Sequence, residues 1–120
     1  MNKFFQYDQN NSGGSFITND KVCHRLFIEA PDEEAAERIA LSLGVYFNGV
    51  ERGIDCSCCG DRWSNWSDEI KEYHYEAYNA STIEEYAQAV ADRYGWTKPD
   101  TRIYYLNGTV KEIFSKKTVM

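Results

Sequence analysis

Three groups of residues in this chain have types and spacing suited to chemistry. The first is Cys56-Ser57-Cys58-Cys59-Gly60-Asp61-Arg62-Trp63, which holds three of the four cysteines, with Cys23, His24 and His74 elsewhere. Structural zinc takes four Cys or His ligands, usually from two knuckles whose ligands lie a few residues apart. Cys56 and Cys59 have that spacing, and a zinc set would draw on Cys56, Cys58, Cys59 and Cys23. No second knuckle follows, so the plainer reading is a metal-free, cofactor-free Cys-Gly turn whose small side chains pack beneath Trp63. A cysteine nucleophile with a histidine base is weaker again, because no spacing in the sequence joins the two.

The second group is acidic: Asp32, Glu33, Glu34 and Glu37. Paired carboxylates can do acid–base or metal work, but at the start of a helix they are explained by the dipole they stabilise. The third group mixes cations with aromatics: Arg25, Arg52, Arg62-Trp63, Tyr75, Arg102, Tyr104 and Lys111, preceded by the turn Asn10-Asn11-Ser12-Gly13-Gly14. Guanidinium forks match phosphate and aromatic faces stack on bases, so such a set suits a nucleotide-like ligand. The Asn10, Asn11 and Ser12 turn could add backbone amides to a phosphate nest. Neither a phosphate-binding P-loop nor a dinucleotide fingerprint is present. Taken singly, each arginine is better explained as a surface ion-pair partner for the surplus carboxylates.

These residues must be held by elements that the pattern predicts in turn. A strand is expected over 3–9, a second over 15–18 after the glycine turn, and a stronger one over 22–30, giving a β-meander. A helix follows, with Pro31 at its first position, an acidic first turn, apolar Ala36, Ile39, Ala40 and Leu43, and Gly44 at its end. The segments 45–47 and 50–54 read as strands turning at Asn48-Gly49. Residues 55–68 read as a long loop, and 71–78 as a strand because Tyr73, Tyr75 and Ala77 alternate with polar neighbours. Ser81-Thr82-Ile83-Glu84 predicts a capping box opening a helix with the stripe Ile83, Tyr86, Ala87, Val90, Ala91 and Tyr94. Asn107-Gly108 predicts a hairpin between 101–106 and 109–114, and the tail 115–120 is expected to fray. The expected fold is α+β over a single domain, 1–120: an antiparallel β-sheet with two amphipathic helices packed on one face.

Composition narrows the function classes. The 120 residues carry 19 acidic and 13 basic side chains, for a formal charge of −6. A field of that sign disfavours duplex nucleic acid and anionic membrane. Nothing approaches a membrane span or a signal peptide, so a soluble, cytoplasmic chain with reduced thiols is expected. Aromatics reach 15 %, suiting both a core and a planar-ligand pocket. Positive charge gathers at the end, where residues 102–120 hold four basic side chains and one acidic.

Three stretches carry a resemblance: Gln9-Asn10-Asn11-Ser12-Gly13-Gly14-Ser15-Phe16, residues 53–63, and the hairpin from Arg102 to Glu112. Together they resemble a family of small bacteriophage proteins, in particular the first-described Thoeris anti-defence family. The resemblance implies an α+β sponge in the host cytoplasm. Such a sponge sequesters the cyclic ADP-ribose isomer made by a host TIR enzyme without cleaving it, so no catalytic residue is needed. It further implies a homo-oligomer, a dimer or a multiple of dimers, and in some members a separate site for cyclic oligonucleotides. Arg102, Arg25 and aromatic stackers near the second helix are the residues it carries over. The alternative expectation is a small zinc-stabilised phage protein acting by protein–protein contact on a host target.

Overall fold

A computed structural model describes residues 2–10, 17–55, 60–63, 67–94 and 99–114. The elements run β1 (Lys3–Asp8), β2 (Arg25–Ala30), α1 (Glu33–Leu43), β3 (Asp68–Glu69), α2 (Glu72–Ala77), α3 (Ile83–Tyr94), β4 (Pro99–Tyr104) and β5 (Val110–Phe114). The strands form one sheet in the order β3-β1-β2-β4-β5. The α+β class is as expected, and the sheet is mostly antiparallel. Its central pair, β2 with β4, is parallel. A parallel neighbour requires a long crossover, and everything from α1 to α3 lies within it.

The sheet separates two cores. On one face Phe5 and Tyr7 of β1 and Leu26, Ile28 and Ala30 of β2 pack against Ala36 and Ala40 of α1. On the other, Phe27, Ile103 and Ile113 meet Ile83, Tyr86, Ala87, Val90 and Ala91 of α3. The registers Phe5↔Ile28 and Phe27↔Ile103 put each set on its own side. The expectation of both helices on one face is therefore corrected: α1 and α3 cover opposite faces. The reason is in β2, which is buried along nearly its whole length. A central strand apolar on both sides leaves two faces to cover, and one helix layer would leave Phe27 or Leu26 in water.

Local chemistry sets the helix ends. The Asp32 carboxylate accepts from the Ala35 amide at 2.8 Å, so Asp32 is the N-cap and Pro31 precedes the helix instead of opening it. At the other end Gly44 takes φ +112° and Val45 donates to the Ala40 carbonyl at 3.1 Å. That is the left-handed closure which glycine adopts without strain. In α3 the cap lies one residue later than expected: the Glu85 amide donates to the Thr82 hydroxyl at 3.1 Å, and the Glu85 carboxylate accepts from the Ser81 amide at 2.6 Å. Glu84 is thereby released for other partners.

Three expected strands are absent among the described residues. Within 71–78, Glu72–Ala77 form α2 with Lys71 and Tyr78 as its caps, because Tyr75 and Tyr78, three apart, both reach the Tyr86 ring. That helical spacing prevails over the alternating pattern. Residues 45–55 form a turn-rich loop: Ile54 and Asp55 both donate to the Gly49 carbonyl, and Val50 donates to the Asp61 carboxylate. Two buried or half-buried carboxylates thus organise a segment whose apolar residues read as a hairpin. Of the strand expected over 15–18, Ile17 and Thr18 are described and not in a strand; the rest lies outside the described residues. The supposed loop 55–68 ends in β3, which pairs with β1. The terminal hairpin forms as expected, with Gly108 at φ +93°. No helix among the described residues is long and apolar enough to cross a membrane.

Candidate functional site

A cleft of about 390 Å³ opens between the sheet and the helices α2 and α3. Its floor is polar, made by Gln6 and Asp8 of β1, Arg25 of β2 with His24 before it, and Asp68 of β3. Strand alternation puts these side chains there: Gln6 and Asp8 fall on the opposite side of β1 from the buried Phe5 and Tyr7. The walls are His74 of α2, Tyr78 at its C-cap, and Tyr86 and Val90 of α3.

Arg25 organises the floor. Only 5 % of its side chain is exposed; its Nε lies 3.4 Å from Asp8 Oδ1, and it donates to the Thr101 hydroxyl at 3.2 Å. Gln6 donates to both Asp8 oxygens at 3.1 Å. Asp8 keeps 39 % of its side-chain surface yet lies in the confined floor. Loss of hydration there pushes its carboxyl above the ordinary value; Asp68 adds to the rise, while Arg25, Gln6 and His24 oppose it. Solvation of the charged form is the larger effect.

Tyr86 is the hub of the aromatic wall. Its ring meets Phe27, His74, Tyr75 and Tyr78 edge-on at centroid distances of 5.9, 6.1, 5.8 and 5.4 Å. Burial first, then the nearby Tyr78, Asp8 and Asp68, push its phenol up to about 12. His74 is fixed from two sides: Tyr73 stacks on it at 4.2 Å, and the Lys71 amide donates to its Nδ1 at 2.9 Å. An Nδ1 that accepts leaves Nε2 as the protonated nitrogen. The cleft thus presents carboxylate and amide acceptors, one guanidinium and aromatic edges, which suits a planar, hydrogen-bond-donating group better than a bare polyanion.

The expected ligand set does not assemble at one place. Arg25 lies in the cleft, and Tyr75 packs behind Tyr86, its phenol raised by burial. Arg102 is on the other face of the sheet, because Thr101 stands opposite Arg25 and its neighbour must point away. There Arg102 binds Glu112 through Nε at 3.0 Å and a terminal nitrogen at 2.9 Å, and donates to the Val22 carbonyl at 3.1 Å. Tyr104 shares that face and donates to the Lys21 carbonyl.

Lys111 is taken by Glu84 at 2.7 Å; that contact and the Tyr105 hydroxyl hold the Glu84 carboxyl below its usual range. Arg62 is spent on structure. Its backbone amide donates to Asp55 at 2.8 Å, and its guanidinium lies 4.0 Å from Asp55 and donates to Gln9 at 3.3 Å. Trp63 is 1 % exposed, a core residue and no stacking platform. Asn10 is tied to the Asp61 carbonyl and Arg52 to the Phe47 carbonyl; Asn11 and Ser12 lie outside the described residues.

The metal question narrows in the same way. Cys56, Cys58 and Cys59 lie outside the described residues. Cys23 is fully buried in the α1 core, its thiol donating to the Arg25 carbonyl at 3.4 Å. Among the described residues no three His, Cys, Asp or Glu side chains are placed to hold a metal ion.

Sequence reasoning missed Gln6, Asp8 and Asp68. Gln6 and Asp8 could have been noticed as the polar half of β1 beside two buried aromatics, but no local signal says that α2 and α3 close over them. A search of curated proteins and one of solved structures each find no match. A family model does match, over residues 2–120. The chain therefore belongs to the family described as a domain of unknown function, DUF7296.

Proposed function

We propose that this protein binds a small nucleotide-like ligand in the cleft between the sheet and α2/α3, and acts by sequestering it without cleavage. The observation that carries this reading is the cleft itself. A volume of about 390 Å³ lies in the range of small-molecule sites, and a buried arginine held by a carboxylate beside four aromatic contacts to Tyr86 recognises orientation as well as bulk. Asp8, Asp68 and the Gln6 carbonyl accept from the donor edge of a base; Tyr78 and Tyr86 offer ring surface; phosphates meet Arg25 or the solvent at the mouth. The acidic surface that repels long polyanions does not oppose a ligand of this size.

The ligand class follows the resemblance noted above: a cyclic ADP-ribose isomer, with cyclic oligonucleotides as further candidates, acting in a phage-infected host cytoplasm. The zinc-dependent alternative gains nothing from Cys23, whose thiol faces a backbone carbonyl. The test is retention. Purified protein is incubated with cyclic ADP-ribose isomers, desalted, heat-denatured and the supernatant analysed by mass spectrometry. Recovery of intact ligand, lost in Arg25→Met and kept in Arg102→Met, is expected. Release of a cleaved product, or no retention of any isomer, would overturn the proposal.

A further inference from the structure

We propose that the free edge of β5 pairs with β5 of a second copy, joining two sheets into one. β5 ends the sheet order, and among the described residues nothing pairs with its outer side. The direction of its backbone groups follows from the hairpin. The Tyr105 amide donates to the Thr109 carbonyl at 2.8 Å, so 105 and 109 are a hydrogen-bonded pair. Such pairs recur every second residue, and the register makes Ile103↔Lys111 and Thr101↔Ile113 the next ones. The N–H and C=O groups of Lys111 and Ile113 therefore point to β4, and those of Val110 and Glu112 point outward.

Isolated edge strands are ordinarily protected by outward charge, proline, bulges or brevity. β3, at the other edge, is two residues long. β5 has no proline, and its two charges are already satisfied within the chain: Lys111 by Glu84 at 2.7 Å and Glu112 by Arg102 at 2.9 Å. Lys111 and Glu112 keep 50 % and 47 % of their side-chain surface, and apolar groups stand equally exposed beside them. Val110 is 47 % and Phe114 49 % exposed, and Leu106 in the adjoining turn is 49 % exposed.

The occupant is a second copy because the strand is complementary to itself. A twofold axis perpendicular to the sheet at Glu112 sets Glu112 against its mate and Val110 against Phe114 of the partner, twice over. Both apolar pairs fall on the α1 side, where aromatic–β-branched neighbours are favourable. The row Arg102–Glu112 followed by its mirror image sums to zero charge, so neither carboxylate faces the other uncompensated. Gln88 of α3 anchors the Phe114 carbonyl at 2.8 Å, which fixes the end of the strand and leaves that oxygen a second lone pair for the partner's Val110 amide.

The experiment is native mass spectrometry and sedimentation of the full chain at tens of micromolar, with amide exchange read residue by residue. A dimer is expected in which the Val110 and Glu112 amides exchange at least tenfold more slowly than on dilution to monomer. Val110→Pro removes an N–H that β4 does not use, and keeps the Arg102–Glu112 pair; it should give a monomer with an unchanged circular dichroism spectrum. Phe114→Lys, which leaves the backbone intact, should weaken the dimer at least tenfold. A wild-type monomer overturns the proposal, as does a dimer that survives both substitutions or leaves the Glu112 amide freely exchanging.

Discussion

Replacing Arg25 by methionine keeps most of the side-chain volume and removes the charge on which the cleft floor depends. At the observed 3.4 Å, and an effective dielectric of about 20, the attraction to Asp8 is about 5 kcal/mol before solvation is counted. The guanidinium is almost wholly buried but Asp8 is 39 % exposed, so screening brings the net loss to about 2 kcal/mol, between the surface and buried cases. The Thr101 hydroxyl loses a donor as well, for about 1 kcal/mol. A total near 3 kcal/mol lowers the melting temperature by about 12 °C for a chain of this size.

The pH dependence is more diagnostic than the size. The Asp8 carboxyl is raised in the folded protein, so between its unfolded value of about 4 and the folded one the native state holds the extra proton, and stability falls as pH rises. Arg25 is the largest influence pulling it back down. Without Arg25 the folded value climbs further and the window of falling stability widens. Urea unfolding should show a variant only about 1 kcal/mol below wild type near about pH 4, the Thr101 share, and clearly weaker near about pH 7.5, with Asp8→Asn in the Arg25→Met background flattening the difference. An equal deficit at both pH values would refute the electrostatic reasoning, and a deficit under about 0.5 kcal/mol would refute the pairing.

Gly49→Ala should cost about 3 kcal/mol in a urea titration, because a Cβ there would sit 1.8 Å from the Asp55 carboxylate that anchors Tyr46 and Arg62; a change within experimental error would mean that the loop yields easily. Thr82→Ala should cost about 1 kcal/mol by thermal melting and Ser81→Ala close to nothing, since only the Thr82 hydroxyl caps α3; the reverse order would restore the box read from the sequence. Above pH 10 stability should fall as the unfolded chain releases a phenolic proton that Tyr86 keeps until about 12; Tyr86→Phe should reduce that slope and remove one late-titrating phenol from the absorbance at alkaline pH.

The parts of the fold legible in the sequence are those fixed by neighbours a few residues apart. Gly44 and the apolar spacing of Ala36 and Ala40 specify α1, the stripe from Ile83 specifies α3, and Asn107-Gly108 specifies the last hairpin, since each is a local backbone requirement. The segment 71–78 shows where that logic stops. Its pattern satisfies strand alternation and helical spacing alike, and Tyr86, reached from Tyr75 and Tyr78, decides between them. The loop 45–55 is similar: Asp61 accepts the Val50 amide that a hairpin would have paired, Asp55 holds the Tyr46 hydroxyl and the Arg62 amide, and a carboxylate's partners are not written in its neighbours.

For the site, residue type was readable and location was not. The sequence marks Arg25, Arg102, Tyr104 and Lys111 as equals. The parallel pairing of β2 with β4 sends Arg25 to the face under α3, and sends Arg102 and Tyr104 to the other face, where they fasten the segment before β2. By itself the sequence determined an acidic α+β chain with aromatic surplus and the positions of α1, α3 and its final turn. Only the tertiary structure decided which charges meet, because alternation along a strand assigns a face relative to its neighbours, and the long crossover that sets those neighbours is closed by packing far from either strand.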